Sequence, residues 1–264
     1  MLPVWLTDTV TSDLERALHY TLLWGLQGVE LRTVGGPDDR VPHVNETQVK
    51  GRLERADLLP AAIAPSMFEG PASRRAAILN RLVTFEDTLR FADRIGCPRV
   101  VVSAFAPGDG APLEPAADAL HRAGAAAADH GITIAVLNET GMARPTGEAL
   151  ATLLDAVDHP FVRAAWNPAA ARRAGEPPAA GLDAVGERVT LVRCADGEMT
   201  DQGWVERPFG TGAIDWEAQL QTLADVGFRG PLSLEIYVEP RPKVGLRSAT
   251  RLIEMIQAVR STSA

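Results

Sequence analysis

Residues 78–104 read ILNRLVTFEDTLRFADRIGCPRVVVSA, and the period of the apolar residues changes partway along. Ile78, Leu82, Phe85, Leu89, Ala92 and Ile95 fall at steps of three and four, which puts them on one helical face and predicts a helix that stops at Gly96. Residues 99–104 that follow form a short β-branched run, the pattern of a buried strand. A helix running into an apolar strand is one unit of a parallel sheet, because parallel neighbours need a crossover between them.

The same unit recurs along the chain. Further apolar or β-branched runs lie at residues 4–7, 28–32, 59–64, 132–138, 162–167, 189–194 and 232–237, which with 99–104 makes eight candidate strands. Stretches of helical period separate them, one of them opening at Asn45 with Gln48 three residues on, the spacing of a capping box. Eight such units in about 250 residues predict an α/β fold, a single (β/α)8 TIM barrel over residues 1–264. The rival is an open doubly wound sheet, which usually carries a glycine-rich turn after its first strand. Here Thr7-Asp8-Thr9-Val10 has no glycine, and the Gly210-Thr211-Gly212 pair comes late. Residues 35–37 and 108–112, rich in Gly and Pro, read as loops at one end of the barrel.

Composition limits the partners. A formal charge of -8 argues against attraction to nucleic acid, although the overall sign says nothing about a local basic patch. No window approaches a membrane span, and Met1-Leu2-Pro3-Val4-Trp5 lacks the basic start and apolar middle of a signal peptide, so the expected location is cytoplasmic. Cys97 and Cys194 read as buried free thiols. The expected partner is a small molecule, with a homo-oligomer open.

Strand parity then locates a site. The outer face of each barrel strand lies under helices and must be apolar, whereas inward residues near the carboxyl end open onto the mouth. In residues 232–237 the two leucines and Ile236 share one face, so Ser233, Glu235 and Tyr237 point inward. In 28–32 the outer pair is Val29 and Leu31, leaving Glu30 and Arg32 inside. Asn167 shares a face with Arg163 rather than Trp166, and Arg193 is inward if Val192 and Cys194 are outward. The inner end collects Glu30, Asn167, Arg193 and Glu235. Glu235 stands out, because a carboxylate bracketed by apolar residues on a central strand is costly unless something pairs with it. Arg193 is its candidate partner, as a structural counterion or as part of a site.

Over nearly its whole length, and most strongly at its carboxyl end, the chain resembles the xylose isomerase-like TIM barrels, a family of sugar and sugar-phosphate isomerases, epimerases, inosose dehydratases and endonuclease-type relatives. The likeness rests on residues 207–216, RPFGTGAIDW, and 223–235, LADVGFRGPLSLE, which are similar to the family's glycine-acid-glycine loop, its following helix and its last strand ending in Glu. Residues 28–32 are similar to its second strand, 131–139 to its fifth and 192–196 to its seventh. Family members that bind a divalent metal use a Glu, an Asp, a His and a Glu from strands five to eight, and the matching positions here are Leu137, Asn167, Arg193 and Glu235. Leucine cannot coordinate, neutral Asn is a poor ligand and Arg cannot be deprotonated to bind a cation. The expectation is therefore no family-type metal and no cofactor. Glu139, two residues beyond Leu137 on the same face, and His43, on the loop after strand two, are the side chains that could build a shifted site.

Without a metal, the chemistry open to these residues is proton transfer next to a carbonyl. Arg193 would hold a developing enolate, Glu235 would act as base, and Glu139, or Glu30 across the mouth, would return the proton. Asn138, Asn167, Asp196 and His43, with Glu30, are the candidate substrate-binding residues. This pattern implies an isomerase, epimerase or related lyase of a small polyhydroxy carbonyl compound. The alternative is an inactive barrel that persists as a ligand-binding or partner subunit, with Arg193 and Glu235 neutralising each other.

Overall fold

The structure is a computed structural model that describes residues 1–36, 38–108 and 112–262. The loop expectations at 35–37 and 108–112 fall partly outside the described residues, as does the side chain of Ile78. In chain order the strands are β1 (Leu2–Leu6), β2 (Gly28–Leu31), β3 (Leu59–Ile63), β4 (Arg99–Ser103), β5 (Thr133–Leu137), β6 (Val162–Trp166), β7 (Val189–Cys194), β8 (Asp196–Thr200), β9 (Gly203–Arg207) and β10 (Pro231–Leu234). The helices are α1 (Leu14–Leu23), α2 (Glu46–Ala56), α3 (Arg75–Ile95), α4 (Leu113–Asp129), α5 (Gly147–Val157), α6 (Pro168–Arg173), α7 (Pro178–Val185), α8 (Trp216–Asp225) and α9 (Arg241–Thr262). Eight strands close in the order β1-β10-β7-β6-β5-β4-β3-β2, a single (β/α)8 barrel.

Local signals place the elements where the sequence puts them. Asn45 caps α2, its side chain accepting the Gln48 N–H, and α3 ends at Gly96 with φ 72°, a left-handed turn that costs glycine nothing. The last barrel strand is shorter than expected. Glu235 N–H still donates to the Cys194 carbonyl at 3.2 Å, but β7 ends there, and Ile236 N–H turns to the Thr9 hydroxyl.

Parity holds toward the carboxyl ends of the strands, while the pairing register shifts between Val29 and Glu30 and between Ala164 and Ala165. Val29, Leu31, Val192, Cys194, Leu232, Leu234 and Ile236 belong to the large apolar layer between strands and helices. A second, smaller cluster fills the barrel itself: Ala62, Ala64, Val101, Ala135, Leu137, Ala165 and Leu191. Trp166 faces outward, its indole N–H donating to Gln219 of α8 at 2.8 Å. Four of the seven interior residues are alanine, so the lumen on that side is plugged by small side chains.

The strands the sequence did not suggest are β8 and β9. They pair only with each other, as an antiparallel hairpin that follows directly on β7. Its turn falls at Asp201-Gln202, and Gly203 after it adopts φ 102°, a conformation open mainly to glycine.

Candidate active site

The site grows from the inward residues at the carboxyl ends of β2, β7 and β10. Arg193 Nη2 donates to Glu30 Oε1 at 2.6 Å, and its Nη1 donates to Glu235 Oε1 at 3.2 Å. The Ser233 hydroxyl closes the group by donating to Glu30 Oε2 at 2.6 Å. The side chains are 5% (Arg193), 0% (Glu30) and 6% (Glu235) exposed, so this is a buried triad of one cation and two carboxylates. Arg193 Nε is also buried and has no acceptor among the described residues. Burial opposes the charged guanidinium, but the two carboxylates outweigh it and hold Arg193 more firmly protonated than usual. Burial dominates at Glu235 in the other direction and raises its pKa, with Arg193 offsetting part of the rise and Glu30 and Glu139 adding to it.

A cavity of about 470 Å³ opens beside this triad. Glu235, Arg193 and Asn167 form part of its wall, joined by Glu139, Arg32 and Tyr237. Glu139 follows β5, and the Ser103 hydroxyl of β4 lies 3.4 Å from its Oε2. Arg32 is held in place by a bidentate pair with Asp8, at 2.8 and 2.9 Å. Burial, then the neighbouring Glu235 carboxylate, pushes the Tyr237 phenol up. Asn167 caps α6, its Oδ1 accepting the Ala170 N–H at 3.1 Å, which leaves its Nδ2 without a partner among the described residues.

Four expected binding residues are not part of the cavity wall: Glu30 is fully buried in the triad, and Asn138, Asp196 and His43 stand elsewhere. Asn138 is fully buried and spends its amide on backbone: Nδ2 donates to the Pro145 and Asn167 carbonyls, and Oδ1 accepts the Asn167 N–H. It sets the position of Asn167 rather than lining the cavity. Asp196 accepts N–H groups from Gly197, Gly210, Gly212 and Ile214 and from the Trp216 indole, so it binds the hairpin to the loop before α8. The Gly210-Thr211-Gly212 pair belongs to this wrap, since a Cβ on Gly212 would collide with Asp196 Oδ1. Asp196→Asn, which trades an ionised acceptor for a donor, is expected to cost about 1–3 kcal/mol in urea unfolding. A stability equal to wild type would show that these bonds are replaceable. His43 is exposed, on the loop after β2, and is not part of the cavity wall.

The wall also contains residues the sequence reading passed over. Trp204 and Glu206 come from β9, and Arg173 comes from the end of α6. The Trp204 indole donates to Glu206 Oε1 at 3.0 Å, and Arg173 lies over the Trp204 ring at 5.7 Å. Burial raises the Glu206 pKa. The available signal was alternation along residues 196–207 around a turn with glycine, which is weak where both faces carry polar residues.

The four family ligand positions do not make a donor set for a divalent cation. Leu137 packs in the apolar barrel interior, Asn167 Oδ1 is committed to a helix cap, and Arg193 stands as a fixed cation against Glu235. No group of three or more His, Cys, Asp or Glu side chains is placed to hold a metal among the described residues. Nor is any helix among them long and apolar enough to cross a membrane.

Comparison with known proteins agrees with the architecture. Among solved structures, an L-ribulose 3-epimerase superposes with a TM-score of 0.81 at 14% identity, covering 99% of this chain and 96% of its own. The IOLI protein, solved with a zinc atom bound, gives 0.81 at 17% identity over 98% of this chain and 99% of its own. D-allulose 3-epimerase from Methylomonas sp., in complex with D-allulose, gives 0.75 at 17% identity over 96% of each. Identities this low carry the fold alone. No curated protein matches the chain by sequence. The family model for the xylose isomerase-like TIM barrel matches residues 19–259, nearly the whole barrel, and the chain belongs to that family.

Proposed function

We propose that the cavity binds a small polyhydroxy carbonyl compound and transfers a proton at the carbon beside its carbonyl, with no divalent metal. The observation that carries this reading is that Glu235 and Glu139 wall one cavity together with Arg193, with Glu139 near enough for its charge to raise Glu235 further. Glu235 takes the proton, and its raised pKa brings it nearer the range where a carboxylate is an effective base. Arg193 offers N–H groups to the oxygen that gains charge as the enolate forms. Half-buried Glu139 takes a proton from solvent and passes it to carbon for epimerisation or isomerisation, or to a departing hydroxyl for dehydration, and Glu235 releases the proton it took to solvent. Asn167 Nδ2 holds a hydroxyl. The sugar epimerases of the same fold support the substrate class.

A second reading has its own observation. Arg193 already satisfies both Glu30 and Glu235 inside the protein, the arrangement of a barrel that binds without turning over. Aldoses, ketoses, inososes and their phosphates, screened for turnover and for thermal stabilisation with a chelator present, separate the two. Turnover under chelator, with an unchanged melting temperature, is the expected result. Stabilisation without turnover selects the binding reading, and turnover that appears only on adding a divalent cation overturns metal independence.

A further inference from the structure

We propose a second binding site, for a small phosphate-bearing anion, at the end of the barrel opposite the candidate active site. A cavity of about 310 Å³ lies there, and three arginines line it: Arg99, Arg163 and Arg229. Arg99 is the first residue of β4 and Arg163 the second of β6, so both project inward at the amino ends of the strands, below the alanine layer that plugs the lumen. Arg229 comes from the turn between α8 and β10.

None of the three has an ion-pair partner among the described residues, in a chain whose net charge is -8. Arg99 Nε donates to the Thr190 hydroxyl across the barrel at 3.1 Å and its Nη1 reaches the Ala61 carbonyl at 3.5 Å, both neutral acceptors. Arg163 Nη2 donates to the backbone carbonyl of Glu187, whose exposed carboxylate is the one acidic side chain in the lining and makes no ion pair with it. A half-buried cation held only by neutral oxygens lacks the counter-charge that normally offsets its desolvation. Desolvation indeed lowers the Arg99 pKa.

The charge of the lining suits an oxyanion. Arginine forks bind phosphate oxygens in pairs, and a phosphate dianion would neutralise two of the three charges at once. The volume admits a phosphate with a short organic tail but not a nucleic acid strand. Free phosphate and a small phosphate ester share this chemistry.

The test is calorimetric titration of the intact protein with inorganic phosphate and, separately, with glycerol phosphate, at constant ionic strength set with chloride. Binding in the millimolar range or tighter is expected. It should weaken about tenfold or more in Arg163→Gln and in Arg99→Gln, and stay unchanged in Arg173→Gln, which alters the other cavity. Arg163 is half-buried and donates to a single backbone carbonyl, where Arg99 bonds to both Thr190 and Ala61, so its variant keeps the test open if Arg99→Gln proves unstable. Tighter binding of the ester identifies an organic phosphate as the ligand, and equal binding identifies the free ion. Absence of binding, equal affinity in Arg163→Gln, or loss of affinity in Arg173→Gln alone would overturn the proposal.

Discussion

Arg193→Ala is expected to lower folding stability by about 3–5 kcal/mol at neutral pH, because it leaves two buried carboxylates with no counterion. The sign of its pH dependence follows from Glu235. Burial raises that carboxyl in the native protein and Arg193 is the strongest influence holding it down, so removing the guanidinium raises it further. A carboxyl whose folded pKa lies above its unfolded value contributes stability below the ordinary carboxylate range and loses it as pH climbs through the folded pKa. The deficit of the variant should therefore be smallest at pH about 4, below the ordinary carboxylate value, and grow as pH rises toward neutrality. Urea unfolding across that interval measures it, and a variant as stable as wild type at neutral pH would mean the triad is not the charge arrangement described. Turnover on the same preparation should also fall by roughly a hundredfold or more per folded molecule if Arg193 steadies an enolate.

Glu235→Gln is expected to separate chemistry from folding. Glutamine keeps the shape but cannot accept the proton, so turnover should drop by about 10²–10⁴-fold. The fold should hold, since Glu30 keeps its pair with Arg193 and its bond from Ser233. Because the native Glu235 loses stability as pH rises through its raised pKa, the variant should gain on wild type as pH rises from about 4 toward neutrality. Undiminished turnover would remove Glu235 from the mechanism.

Much of this was legible in the chain because strands of a closed parallel barrel have two unlike faces. The outer face must be apolar, so Val29, Leu31, Leu232, Leu234 and Ile236 announce it, and Glu30, Glu235 and Arg193 are forced inward by exclusion. What parity cannot supply is the direction of loops. Asn138 and Asp196 sit beside strand ends and look like mouth residues, yet each is consumed by backbone groups whose positions depend on chain turns many residues away. The wall formed by Trp204, Glu206 and Arg173 was invisible for a related reason. It depends on a hairpin that leaves the barrel sheet, and no periodic burial marks residues that are only half-covered on both faces.

That hairpin has a consequence for how the protein can diverge. As strands, β8 and β9 pair with each other and not with the barrel, and their root is held to the loop before α8 by the Asp196 carboxylate and by the Ala213 N–H, which donates to the Gly197 carbonyl at 2.8 Å. The barrel closes without them. Residues 198–206 can therefore be exchanged as a cassette, altering the cavity wall at Trp204 and Glu206, while the closure of the eight strands and the charges inside them stay as they are. One part of the cavity wall thus lies on a segment that barrel closure does not use, and a library confined to that cassette could vary this wall without disturbing the strands.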